Sequence, residues 1–78
     1  PAMQVDPSTT VGGGRVLVDA SGFEPGSTVD FYLHSAAVHL GSATADGSGD
    51  VAAWVTIPPG TTPGLHHIEA VGVDPSVV

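Results

Sequence analysis

Apolar and polar residues alternate with a period of two in "TVDFYLH" (Thr28–His34) and "DVAAWVTI" (Asp50–Ile57), and no stretch of ten residues carries a helical period. Successive side chains of a strand point to opposite faces, so each segment reads as a strand with one apolar and one wetted face. Val29, Phe31 and Leu33 face inward on the first, with Asp30, Tyr32 and His34 outward. Val51, Ala53, Val55 and Ile57 face inward on the second, and Trp54 outward. "RVLVDA" (Arg15–Ala20) repeats the pattern, with Val16 and Val18 opposite in facing to Arg15, Leu17 and Asp19. "QVD" before Pro7 is a short entry strand, "AVHLGSATA" (Ala37–Ala45) a weaker edge strand, and "LHHIEAVG" (Leu65–Gly72) puts His66, Ile68 and Ala70 on one face.

Glycine (11) and proline (7) punctuate these runs. Pro25-Gly26 suits a type II turn, which needs a positive φ at its third residue. "DGSG" (Asp46–Gly49) signals a hairpin. Pro58-Pro59 stops the strand before it, because proline has no N–H for a ladder. Strands of this length, with turns roughly every eight to twelve residues, predict an all-β domain built as a sandwich or small barrel. One apolar face per strand favours the sandwich.

At 78 residues the chain makes one domain, of a size at which burial and chain entropy nearly cancel. With no cysteine, disulfides, thiolate metal sites and cysteine nucleophiles are excluded. Eight acids stand against one base, Arg15, and the formal net charge is −7. Phosphate contacts need Lys or Arg, so nucleic acid is not an expected partner, and neither is an anionic membrane surface. The acids are scattered and read as a solvated surface. No apolar run is long enough for membrane insertion.

No constellation announces chemistry. His66 and His67 are adjacent, so on a strand they face opposite sides and cannot share a metal. His34 and His67 could meet only on neighbouring strands in register. "DGSGD" (Asp46–Asp50) lacks the distant bidentate glutamate of a calcium loop and reads as a turn. No serine sits in a nucleophile elbow. An intramolecular isopeptide crosslink would need a lysine, and there is none. The expectation is no catalysis, cofactor or metal. The outward rings of Trp54 and Tyr32 are the candidate contacts for protein or glycan.

Taken together, "GGGRVLVDASGFEPGSTVDFYLHS" and "VHLGSATADGSGDVAAWVTIPPGTTPGLHHIEAVG" resemble the immunoglobulin-like repeat of actinobacterial surface and secreted proteins, over about Val5–Gly72. The resemblance implies a small Ig-like β-sandwich of about six or seven antiparallel strands in a Greek key. It also implies an extracellular, secreted or wall-anchored setting. Phe23 is then expected to seal one end of the core. His66, two residues after Gly64, takes the place of a corner residue that bonds back to the Pro59–Gly64 loop.

The resemblance divides the chain into residues 1–4 as a linker or cloning remnant, 5–72 as the domain, and 73–78 as a short final strand or the start of a next repeat. "VDPS" at Val5–Ser8 indeed returns at Val73–Ser76. A short or missing last strand would leave an edge open to adjacent domains or to a strand-exchanged homodimer. The function expected is a non-catalytic spacer in tandem array, its chain entering and leaving at opposite poles. The alternative is an adhesin-like or carbohydrate-binding module using Trp54 and Tyr32.

Overall fold

The computed structural model describes residues 2–34 and 38–73. Ala37 and residues 74–78, the latter holding most of the second "VDPS", lie outside the described residues. Six strands follow in order: β1 (Ala2–Asp6), β2 (Arg15–Ser21), β3 (Thr28–His34), β4 (Val38–Thr44), β5 (Val51–Thr56) and β6 (His67–Val71). There is no helix among the described residues. The strands form two antiparallel three-stranded sheets, ordered β1-β2-β5 and β4-β3-β6. The fold is therefore all-β.

The inward residues named from alternation meet in one buried cluster drawn from both sheets. Val16, Val18 and Ala20 of β2 and Val51 and Val55 of β5 face Val29 and Phe31 of β3, giving a sandwich-like arrangement. Phe31, Val18 and Val29 are the largest side chains wholly removed from water. Each contributes roughly 1.5–3 kcal/mol through burial. Across the sheet, Phe31 is opposite Gly41 on β4 and Ala70 on β6, so small residues flank the ring on both sides. The register of β3 and β4 shifts between Phe31 and Tyr32, beside Gly41 at φ 152°.

Strand limits differ from the sequence expectation at both ends. β1 takes in residues 2–4, which pair with Ser21, Ala20 and Asp19 of β2, so the entry strand starts ahead of "QVD". β6 begins only at His67 because Leu65 and His66 belong to the preceding loop. Beyond β5, Gly13 N–H donates to the Ile57 carbonyl (2.7 Å) and Ile57 N–H to the Gly14 carbonyl (2.8 Å), which carries the β2–β5 ladder up to the prolines.

The expectation of opposite poles fails for the described residues. Ala2 pairs with Ser21, at the end of β2, and Val71 pairs with Asp30, near the start of β3. The loop between β2 and β3 joins those two points, so Ala2 and Val71 both lie at its pole. Contacts around Phe23 hold that pole together. Glu24 N–H donates to the Val73 carbonyl (2.7 Å), and Phe23 N–H to the Gly49 carbonyl (3.2 Å). A Cβ on Gly72 would sit 2.8 Å from the Phe23 ring, so the chain crosses directly over the core's end there. The molecule measures 38 × 20 × 16 Å.

Candidate functional site

Parity along β2 and β5 sends Arg15, Leu17 and Trp54 to the outer face of the first sheet, and the register sets Leu17 opposite Trp54. Trp54 is 59% exposed. The Arg15 guanidinium lies 5.3 Å from its ring centroid, so the chain's only base is stacked on its only tryptophan. Such a cation–π contact at an exposed site contributes about 0.5–1 kcal/mol. A double-mutant cycle with Arg15→Ala and Trp54→Ala, read by urea unfolding, is expected to return a coupling of about that size. A coupling indistinguishable from zero would mean that the stack contributes nothing in solution.

Tyr32 lies on the outer face of the other sheet, within a cluster of histidines and carboxylates. Its ring meets His39 edge-on, with centroids 5.2 Å apart and planes at 63°. His39 Nε2 is 3.1 Å from Asp30 Oδ1, and His34 Nε2 is 2.7 Å from Glu69 Oε1. Both pairs are about half exposed, so each is worth at most about 1 kcal/mol. His34 stands directly opposite His67, which meets the register that a shared metal would require. Nonetheless no three His, Cys, Asp or Glu side chains gather into a metal-holding group among the described residues. The His34 ring turns to Glu69 instead.

Trp54 and Tyr32 therefore occupy opposite outer faces and cannot form one platform. The remaining residues expected to matter sit within the framework. Phe23 is buried at the end of the core. His66 Nε2–H donates to the Thr62 carbonyl (2.7 Å), tying the start of β6 to the preceding loop. Gly64, at φ 144°, makes the corner between them.

An open depression of about 380 Å³ lies at the Phe23 pole, lined by Met3, Gln4, Asp19, Asp46, Asp50 and Ala52 among others. Of its acids, Asp46 serves the turn: its Oδ1 accepts the N–H groups of Ser48 (2.8 Å) and Asp50 (3.0 Å). Sequence reasoning missed the Arg15–Trp54 stack and the two His–carboxylate pairs. Strand parity puts these residues on outward faces, but which strands are neighbours, and in what register, is a property of the sheet.

No family model matches the chain, and neither a curated protein nor a solved structure matches it.

Proposed function

We propose that the chain is a non-catalytic Ig-like structural module, a spacer unit of a multidomain bacterial surface or secreted protein of the kind built from serial copies. The observation that carries the reading is the strand order. Sheets β1-β2-β5 and β4-β3-β6, with crossings from β2 to β3, from β4 to β5 and from β5 to β6, follow the order that strands A-B-E and C′-C-F take in an Ig-like sandwich. The resemblance of the "GFEPGS", "ADGSGD" and "PGLHHIEAVG" segments to actinobacterial Ig-like repeats supports it further. In that assignment β6 is strand F, and strand G would lie on its free side.

The shared pole bears on how such a unit creates distance. A unit whose ends stayed together, as Ala2 and Val73 do, would stand beside the parent chain rather than in line with it. A return strand along β6 would separate the ends by the length of the domain. The spacer reading is tested by joining three units in series through "VDPS" and measuring the maximum dimension by small-angle scattering. With the ends separated by a return strand, a stalk is expected to approach three times the 38 Å long axis. A particle little longer than one unit would sink the reading.

A further inference from the structure

We infer that the free edge of β6 pairs antiparallel with β6 of a second copy, making one six-stranded sheet across the two. This inference does not rest on the spacer reading; it follows from the edge itself. Among the described residues β6 is hydrogen-bonded to a strand on one side only. Exposed edges in native sheets are usually guarded by proline, by charge or by a bulge. Here β1 runs into Asp6-Pro7, β4 carries the register shift beside Gly41, and β5 runs into Pro58-Pro59. β6 has neither a proline nor a bulge, and its charged residue, Glu69, is drawn to His34 of β3.

Its side chains are also incompletely covered. Ile68 and Ala70 point inward and pack on the core, yet stay half-buried where their β3 neighbours Leu33 and Phe31 are buried. Leu65, just before the strand, is 90% exposed, and Val71, its last residue, 45% exposed.

The pairing register follows from complementarity. Directly opposite residues of an antiparallel pair project to the same face, so a twofold axis through this edge must fall on a residue. Centred on Glu69, it would place that carboxylate against its own copy. Centred on His67, it would set His67 on itself and Leu65 against Glu69. Centred on Ala70, it would put both His67 and Glu69 against valine. Centred on Ile68, it sets His67 opposite Glu69 twice and Leu65 opposite Val71 twice. Ile68 then meets Ile68 over the end of the core. This register alone matches the outward acid with histidine and leucine with valine; on the inner face His66 then stands opposite Ala70. Because the two copies run in opposite directions, their Phe23 poles lie at opposite ends of the pair.

An edge of five residues makes a small interface, so sedimentation equilibrium of the 78-residue chain should bracket an affinity on the order of 0.1–1 mM. His67→Glu, which puts carboxylates opposite each other twice, is expected to weaken pairing about tenfold. Adding Glu69→Lys to it should restore pairing, because positions 67 and 69 again face each other with opposite charges. Leu65→Asp, at an exposed position, should weaken it without changing the circular dichroism of the monomer.

Three results would overturn the inference. One is a monomer across the whole concentration range. Another is a dimer indifferent to His67→Glu and Leu65→Asp. The third is full protection of all β6 amides from exchange in the dilute monomer, which would mean that the chain covers this edge itself.

Discussion

Phe31→Ala is expected to leave the chain unfolded, or nearly so, at 25 °C. Phe31 is wholly buried at the centre of the middle strand of its sheet, and its neighbours across the ladder are Gly41 and Ala70. Neither has a side chain that could swing into the space a lost ring would leave. The cost therefore lies toward the upper part of the usual range for Phe→Ala, about 3–5 kcal/mol. A domain of this size commands a stability of roughly 5 kcal/mol, with no disulfide in reserve. Phe31→Leu fills most of the same volume and should cost less than about 1.5 kcal/mol. Urea unfolding followed by far-ultraviolet circular dichroism separates the two, whereas fluorescence is a poor probe because Trp54 is 59% exposed. An alanine variant with a midpoint near that of the parent would mean that Phe31 does not anchor the core.

The Phe31 position was legible in the sequence for a simple reason. Strand parity is local, so "TVDFYLH" and "RVLVDA" reveal their inner faces without knowledge of what they pack against. Val16, Val18, Val29, Phe31, Leu33, Val51 and Val55, all assigned inward from alternation, are buried. Strand pairing is not local. The Arg15–Trp54 stack and the His34–Glu69 pair depend on β2 lying beside β5 and β3 beside β6. The path of the chain between sheets is not local either: β6 ends beside the start of β3 and brings Val73 back to Glu24.

The candidate site was less legible than the core. Large outward rings mark Tyr32 and Trp54 as noticeable, but parity within one strand cannot say whether two strands share a sheet. The two residues belong to different sheets and point away from each other. Conversely, the features of β6 that matter for pairing are unremarkable in sequence: a histidine and a glutamate two residues apart, flanked by leucine and valine. They acquire meaning only once β6 is seen to pair with a strand on one side alone among the described residues.

The second large effect lies in the turn "DGSGD", where two glycines two residues apart are expected to behave very differently. Gly49 has φ 79°, and a Cβ built on it would lie 2.4 Å from the Phe23 carbonyl oxygen, with the Phe23 nitrogen at 3.4 Å. Both obstacles are backbone and cannot rotate away. The same segment is held by Phe23 N–H donating to the Gly49 carbonyl and by Gly49 N–H donating to the Asp46 carbonyl (3.0 Å). Gly49→Ala must therefore push the β4–β5 turn off the β2–β3 loop while adopting a φ that L-residues disfavour, at a cost of roughly 2–4 kcal/mol. Phe23 would lose its seat at the end of the core in the process. A methyl group on Gly47 would meet nothing within 4 Å, and the φ of Gly47 lies outside the left-handed range. Gly47→Ala should thus shift stability by no more than about 0.5 kcal/mol. Thermal unfolding of the two variants side by side decides the matter: equal midpoints would mean that the turn does not press against Phe23 in solution.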